Sequence, residues 1–259
     1  MEIDLKGKVA IVTGVGKGIG REIFFTLAEE GVRTVGIDIN SADLDELGKE
    51  LINRGLKGSL FLCDIRNSRG ISKVVDKVIE KYDRIDILVN NAGIAGNGKV
   101  EELSEETWDN CQDVNAKGTF LMCKAVAPIM KRQNYGRILN AASFAAIIPS
   151  IGSAAYAASK AGVKQFTRVL AGELAPWNIT VNSYAPGMIP STLNNFSTLP
   201  ADEQNQLLNT LTIRKWGKEK DVANLICFLA SDLASYITGT MIDISGGKYA
   251  TQFPNVAYE

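Results

Sequence analysis

The sequence predicts an α/β protein in which helices cover both faces of one parallel β-sheet. Short apolar runs that are typical of buried strands alternate with helical segments along almost the whole chain. The first of these runs leads directly into a turn that contains four glycines. Repeated strand–helix units of this kind build a doubly wound parallel sheet. Because no linker, internal repeat or low-complexity segment interrupts them, we expect a single domain over residues 1–259.

The first strand is predicted at residues 8–13, a continuous, mainly β-branched run that suits a strand buried on both faces. A glycine-rich turn follows at residues 13–20, then a helix at residues 21–30 and a second strand at residues 32–37 that ends at Asp38. Strand, glycine turn, helix, strand and acidic residue within about 30 residues form the dinucleotide-binding pattern of the Rossmann fold. In that pattern the pyrophosphate lies at the helix N-terminus.

The remaining elements follow from the same alternation. Helices are expected at residues 41–54, 67–82, 105–132, 153–176 and 219–231, and strands at residues 57–63, 85–90, 136–140, 179–184 and 241–244. Ser41 is the expected N-cap of the second helix. The stretch at residues 188–216 is rich in Ser, Thr, Asn and Pro, and we expect it to be an irregular substrate-loop insertion.

Polar and glycine-containing motifs follow the predicted strands at one edge of the sheet. In an open α/β sheet, ligands bind beyond the carboxyl ends of the strands. Each of these residues alone is compatible with a simple turn, but their shared edge predicts a ligand site. The residues expected there are Asp38, Asp64, Ile65, Asn91, Gly93, Ser143, Pro186 and Gly187.

Tyr156 and Lys160 are four residues apart and therefore lie one turn apart on the same face of a helix. The sequence contains no histidine, so acid–base chemistry near neutral pH has to use another side chain. An ammonium group beside a phenol favours the phenolate and lowers the phenol pKa. Bringing a tyrosine pKa from its usual value to near 7 requires a shift of about 3 units, to which Lys160 and a cationic cofactor could both contribute.

Composition argues against several classes of protein. A net charge of −1 offers no basic surface of the kind that nucleic-acid binding needs. No polybasic run, apolar signal core or membrane-spanning stretch is present, so we expect a cytoplasmic protein without a membrane partner. Without histidine or a C-x-x-C motif we expect no metal site and buried free thiols at Cys63, Cys111, Cys123 and Cys227.

Together the motifs resemble the short-chain dehydrogenase/reductase family. The resemblance covers about residues 5–247, with the elements in family order, and implies a seven-stranded sheet in the order 3-2-1-4-5-6-7. The family's activity implies hydride transfer between a nicotinamide cofactor and a substrate that interconverts between a secondary alcohol and a ketone. The matching features are T-G-x-x-x-G-x-G at residues 13–20, N-N-A-G at residues 90–93, Asn115, Ser143, Y-x-x-x-K at residues 156–160 and P-G at residues 186–187.

The resemblance implies a role for each catalytic residue. Tyr156 would be the general acid–base group, and Lys160 would lower the Tyr156 pKa and hold the nicotinamide ribose. Ser143 would hydrogen-bond the substrate oxygen and stabilise charge that develops there. Asn115 would position a water molecule that links Lys160 to bulk solvent.

The resemblance also implies the cofactor-binding residues. Asp38 favours NAD, because a carboxylate accepts hydrogen bonds from a ribose 2′-hydroxyl and repels a 2′-phosphate. Lys17 is the contrary signal, since a basic residue at this place in the family can bind a 2′-phosphate. We therefore expect NAD rather than NADP. The residues expected to contact the cofactor are Gly14, Lys17, Gly18, Ile19, Gly20, Asp38, Asp64, Ile65, Asn91, Gly93, Tyr156, Lys160, Pro186, Gly187, Ile189 and Thr192.

The expected substrate is a small alcohol, polyol, sugar or hydroxy-ketone. Residues 188–213 contain no Lys or Arg, which disfavours a strongly anionic substrate. The residues expected to contact the substrate are Ser143, Ala145, Ile151, Tyr156 and Met188, and polar side chains that could bind its hydroxyl groups are Asn194, Asn195, Ser197 and Thr198.

Two alternatives remain. The chain resembles 3-oxoacyl-(acyl-carrier-protein) reductases of the same family, although these usually use NADPH and carry a basic residue where this chain has Trp177. A non-catalytic nucleotide-binding protein is the other alternative. Family members are usually tetramers, so a homotetramer or a homodimer is expected. The aromatic C-terminal tail, residues 248–259, is expected to pack on a neighbouring subunit.

Overall fold

The computed structural model of the protein describes residues 3–191, 194 and 196–258. These residues form a seven-stranded sheet in which neighbouring strands are parallel and follow the order β3-β2-β1-β4-β5-β6-β7. The predicted fold class and strand order are therefore confirmed. The strands are β1 (Val9–Thr13), β2 (Arg33–Asp38), β3 (Gly58–Leu62), β4 (Ile87–Asn90), β5 (Gly136–Ala141), β6 (Ile179–Pro186) and β7 (Met241–Ile244).

Helices cover both faces of this sheet, as two separate apolar cores show. Successive residues of a strand point to opposite faces, and β1 accordingly places Ala10 and Val12 in one core and Val9 and Ile11 in the other. The helices are α1 (Gly18–Glu29), α2 (Ser41–Asn53), α3 (Ser68–Tyr82), α4 (Glu105–Gln112), α5 (Gly118–Gln133), α6 (Ala154–Leu174), α7 (Ala201–Leu208) and α8 (Glu219–Ala230). None of the helices that the described residues form is long and apolar enough to cross a bilayer.

The start of α2 differs from the prediction. Its N-cap is Asn40 rather than Ser41, because the Asn40 Oδ1 atom accepts hydrogen bonds from the backbone N–H groups of Ala42 and Asp43 at 3.0 and 3.3 Å. Both residue types are good N-caps, so the residue types alone could not select between them.

The helix predicted at residues 105–132 is interrupted. It consists of α4 and α5 joined by a π-helical turn, Asp113–Lys117. A π turn inserts one residue into the α-helical pattern and often occurs at functional sites. Asn115 lies within this turn and is completely buried.

The stretch predicted to be an irregular insertion contains α7. This helix has eight residues and none of them is buried, so it lacks the apolar periodicity that reveals a helix in a sequence. The backbone of Ser191 and Asn194 forms a reciprocal pair of hydrogen bonds, both 3.1 Å. Thr192, Leu193 and Asn195 lie outside the described residues.

Candidate active site

The glycine turn between β1 and α1 forms a cradle of exposed backbone. Gly14 has a φ of +72°, which favours glycine, and a Cβ atom on Gly20 would overlap the Gly14 carbonyl oxygen. Helix α1 has no side-chain N-cap and no acidic residue in its first turn. Its first N–H groups and the positive end of its dipole therefore suit a phosphate group.

Asp38 lies at the end of β2, beside this cradle. Its Oδ2 atom accepts a hydrogen bond from the Gly16 N–H at 2.8 Å, and its Oδ1 atom accepts one from the Asn40 N–H at 3.0 Å. The carboxylate is thereby held in one orientation. This placement suits the ribose of a dinucleotide whose pyrophosphate lies at the start of α1.

A long cavity follows the carboxyl ends of the strands from Asp38 to the end of β4. Both basic side chains that line its described part are paired with carboxylates. Lys17 forms an ion pair with Asp43 at 3.2 Å, and Arg66 holds both oxygens of Asp64 at 2.7–3.0 Å. Arg66 also lowers the Asp64 pKa. The predicted cofactor residues that line this cavity are Gly14, Lys17, Gly18, Ile19, Asp38, Asp64, Ile65, Asn91 and Gly93.

A second cavity adjoins the first, since Ile19, Asn91 and Gly93 line both. It brings together residues from β5, α6 and the loop after β6, which are distant in the sequence. The predicted residues that line it are Ser143, Ala145, Ile151, Tyr156, Lys160, Pro186, Gly187 and Ile189. The polar side chain of Asn194 and the ring of Phe196 also line it.

Lys160 is anchored at the back of the second cavity. The side chain is buried, and its Nζ atom donates a hydrogen bond to the Ala141 carbonyl oxygen at 2.8 Å. Burial disfavours the charged ammonium and lowers the pKa of Lys160 from its usual 10.5 to about 8. The Nζ atom lies 5.7 Å from the centre of the Tyr156 ring.

The phenol of Tyr156 is less acidic in this environment than the Tyr–Lys spacing suggests. Burial raises its pKa above the usual value, and the Ser143 side-chain hydrogen bond opposes this rise without cancelling it. The low Tyr156 pKa that was expected is therefore not produced by the chain's own residues. The physical reason is that burial destabilises the phenolate more than the Ser143 hydrogen bond stabilises it.

Asn115 joins three elements behind Lys160. Its Oδ1 atom accepts from the Ile94 N–H at 2.8 Å, and its Nδ2 atom donates to the Ile94 carbonyl oxygen and to the Ser159 hydroxyl, both at 2.9 Å. Both ends of the side-chain amide thus connect the loop after β4 with its surroundings, and the amide nitrogen also binds α6. The Asn115 backbone carbonyl oxygen accepts a hydrogen bond from the Thr119 hydroxyl at 2.7 Å.

Three predicted site residues lie outside the lining of both cavities. Gly20 is enclosed within the glycine turn and Asn115 lies behind Lys160. Met188, predicted to contact the substrate, is buried beneath the loop, where its carbonyl oxygen accepts a hydrogen bond from the Gly217 N–H at 3.1 Å. Thr192, predicted to contact the cofactor, lies outside the described residues.

Two residues that line the first cavity, Asp43 and Arg66, were not predicted from the sequence. No motif marks them, because Asp43 is one of several acidic residues in α2 and Arg66 is a single charged residue in a loop. Phe196, which lines the second cavity, lies in the expected substrate loop at residues 188–216. Only the three-dimensional positions of these residues reveal their contribution.

The fold and the two joined cavities define a dinucleotide-dependent oxidoreductase, and comparisons with known proteins agree. The profile of the short chain dehydrogenase family matches residues 8–201, and the chain belongs to this family. It is an oxidoreductase with a nicotinamide cofactor.

Relatives of known name match over nearly their whole length. The chain is 41% identical over 245 residues to the 3-oxoacyl-(acyl-carrier-protein) reductase FabG of Thermotoga maritima, covering 94% of this chain and 98% of the relative. It is 37% identical to the FabG of Staphylococcus epidermidis, covering 93% and 99%.

Solved structures also match over nearly their whole length. The crystal structure of gox2181 has a TM-score of 0.92 at 34% identity, covering 96% of this chain and 98% of that one. A protein from Sinorhizobium meliloti 1021, provisionally named a short-chain alcohol dehydrogenase, has a TM-score of 0.90 at 34% identity, covering 96% and 99%.

Proposed function

We propose that the protein is an NAD(H)-dependent oxidoreductase that interconverts a secondary alcohol and a ketone. One observation carries the proposal. Ser143, Tyr156 and Lys160, from two different elements, line one cavity that opens onto the dinucleotide cradle. A hydroxyl donor, a proton-exchanging phenol and a buried amine are the groups that carbonyl reduction requires beside a hydride source.

The bound nicotinamide supplies or accepts the hydride. Tyr156 exchanges a proton with the substrate oxygen through its phenol group. Ser143 donates a hydrogen bond to the same oxygen and stabilises the negative charge that develops on it. Lys160 holds the nicotinamide ribose. Asn115 binds both the loop after β4 and helix α6, so that the cavity keeps its shape.

NAD is proposed as the cofactor. Asp38 is fixed by two backbone N–H groups at the ribose end of the cradle. A carboxylate in this place accepts from a 2′-hydroxyl and repels a 2′-phosphate. The two basic side chains that line the described cavity are both paired with carboxylates, which leaves a 2′-phosphate without an unpaired cation.

The proposed substrate is a small alcohol, polyol, sugar or hydroxy-ketone. The second cavity has apolar walls that include Ala145, Ile151 and Phe196. Within it, the Oδ1 atom of Asn194 is buried and has no hydrogen-bond partner among the residues that the structure describes. A buried acceptor of this kind favours a ligand that offers a hydroxyl or amide donor.

A second candidate is reduction of a 3-oxoacyl chain that an acyl-carrier protein presents, the activity in the names of the two FabG relatives. The 41% identity over nearly the whole chain favours it. Trp177 weighs against it, because it stands where those enzymes usually carry a basic residue. The Nζ atom of Lys131 lies 4.0 Å from the centre of the Trp177 ring, so the indole makes a cation–π contact within its own chain.

Absorbance at 340 nm distinguishes the candidates when NADH and NADPH are each combined with hydroxy-ketones, sugars and acetoacetyl thioesters. We expect NADH oxidation with a hydroxy-ketone or sugar. Preferred turnover of the thioester with NADPH would instead establish the second candidate. Tyr156→Phe should reduce turnover by about 10²–10⁴-fold while NADH binding persists, and normal turnover in that variant would contradict the mechanism.

A further inference from the structure

Lys17, Asp43 and Asp38 surround one backbone position in the glycine turn. Asp38 accepts the Gly16 N–H, and a Cβ atom on Gly16 would lie 3.0 Å from the Asp38 Oδ2 atom and 2.9 Å from the Asp43 Cβ atom. Asp43 also forms the ion pair with Lys17 at 3.2 Å. The two carboxylates and the ammonium therefore lie at the same end of the cofactor cavity.

The geometry points to Asp43 as a specificity-determining residue for the cofactor. By holding the Lys17 ammonium, Asp43 prevents this cation from binding a 2′-phosphate. It also adds a second negative charge beside Asp38. The inference rests on the proposed function, because it concerns the cofactor that the proposed reaction uses.

The two partners of the ion pair differ in exposure, and this difference supports the role of Asp43. The Asp43 side chain is only 16% exposed, whereas that of Lys17 is 54% exposed. Lys17 has a long, flexible stem and could move toward a phosphate, but Asp43 is fixed at the start of α2. The backbone N–H of Asp43 donates to the Asn40 side chain at 3.3 Å, which fixes the first turn of that helix.

Charge counting gives the direction of the effect. Asp38, Asp43 and Lys17 together carry a charge of about −1, and a 2′-phosphate would bring further negative charge to the same place. Neutralising Asp43 brings the sum to about zero and frees Lys17. At separations of 5–8 Å near the surface, one unit of charge should change the affinity for a phosphate by about 3- to 10-fold.

Binding of adenine nucleotides tests the inference without any reaction. The probes are adenosine 5′-monophosphate (AMP) and 2′,5′-ADP, which differ by the 2′-phosphate alone, and the readout is the ratio of their Kd values by titration calorimetry. Asp43→Asn should shift this ratio toward 2′,5′-ADP by about 3- to 10-fold. Asp45→Asn is the matched control, since Asp45 is exposed on the same helix and does not line the cavity.

Lys17→Met separates release of the cation from loss of a negative charge. In the Lys17→Met background, Asp43→Asn should shift the ratio much less than it does in the wild-type protein. Higher ionic strength should also reduce the shift, because salt screens exposed charges. Thermal melts of each variant verify that it is folded.

Three results would overturn the inference. One is an unchanged ratio in Asp43→Asn, and another is an equal shift in Asp45→Asn. The third is a shift of full size when Asp43→Asn is made in the Lys17→Met background, which would assign the effect to charge loss alone. If the wild-type protein bound neither AMP nor NAD⁺, the proposed function itself would fail, and this outcome is distinct from the other three.

Discussion

Tyr156 and Lys160 have the spacing of a catalytic pair, but each is shifted by burial toward its neutral form. Burial raises the pKa of Tyr156 and lowers that of Lys160 to about 8. A neutral phenol whose pKa is raised by burial is a poor general base near pH 7. An added positive charge would favour the phenolate, and an oxidised nicotinamide carries one.

Titration of the phenol checks this interpretation. We expect the Tyr156 pKa to be lower with NAD⁺ bound than in the free protein, because a nearby positive charge favours the phenolate. Ultraviolet difference spectra measure tyrosinate formation, and Tyr156→Phe identifies the signal of this residue. An identical Tyr156 pKa with and without NAD⁺ would contradict the prediction.

The depressed pKa of Lys160 predicts a pH dependence of stability. A folded-state pKa of about 8 against a usual 10.5 means that the folded protein loses this proton first, so stability rises between these pH values. Between these pH values, the free energy of unfolding of the wild-type protein should rise by at most about 3 kcal/mol relative to that of Lys160→Met. Urea unfolding from pH 7 to pH 10.5 measures it.

Lys164→Met is the control for that experiment, because Lys164 lies one turn further along α6. Its difference from the wild-type protein should stay constant over the same pH range. A constant difference for Lys160→Met as well would show that Lys160 keeps its ordinary pKa in the folded protein.

At the scale of elements, the π turn between α4 and α5 is the feature that shapes the site. It places Asn115 where its side chain can bind both backbone groups of Ile94 and the Ser159 hydroxyl. These contacts connect the end of β4 with α6, the element that carries Tyr156 and Lys160. We therefore expect the turn to act by positioning α6 rather than by contact with the substrate.

Asn115→Ala should destabilise the protein by about 1–3 kcal/mol, because it removes the hydrogen-bond partner of the part-buried Ile94 N–H and carbonyl groups. It should also lower turnover more than it weakens NADH binding. Chemical unfolding and steady-state kinetics measure the two effects. Ser159→Ala removes one of the same hydrogen bonds and should cost less; an equal or larger loss there would contradict this account.

At the scale of the whole molecule, one sheet edge collects residues that are far apart in the chain. The order β3-β2-β1-β4-β5-β6-β7 puts the glycine turn after β1 between the loops after β2 and β4. The first and the second cavity meet at that point. The C-terminal tail is expected to pack on a neighbouring subunit. Within its own chain, Tyr258 donates to the Thr212 carbonyl oxygen at 2.8 Å, and the side chain of Phe253 is 71% exposed.

We propose that the outer face of α5 and α6 is a subunit interface of a tetramer or dimer. Phe120 and Val169 on these helices are 43% and 61% exposed, and Phe120 packs edge-to-face on Phe166. Exposed apolar groups that cluster in this way often mark an interface. The tail is not required for this proposal.

Phe120→Glu combined with Val169→Glu should convert the assembly to smaller species, because a carboxylate is costly to bury at an apolar contact. Light scattering after size-exclusion chromatography measures the mass. Ile52→Glu is the control, since Ile52 is exposed on α2. A monomeric wild-type protein, or an unchanged mass in the double variant, would contradict the proposal.

Much of the fold was predictable because it depends on local patterns. Buried strands are continuous apolar runs, and the glycine turn has a fixed spacing, so the βα alternation and most element positions agreed with the structure within a few residues. The α2 N-cap, the π turn and α7 were not predictable. In these cases two residue types compete, one residue is inserted without any compositional mark, or a short helix buries nothing.

The sequence by itself determined the fold class, the strand order through family resemblance, and the residues that are brought to the edge of the sheet. Tertiary structure alone decided their environment: that burial raises the Tyr156 pKa, that Asn115 is used to connect backbone segments, and that Asp43 pairs with Lys17. The physical reason is how far apart in the sequence the interacting groups lie. Strands and turns follow from neighbours in the chain, whereas burial, pKa and ion pairing depend on groups that only folding brings within a few ångströms.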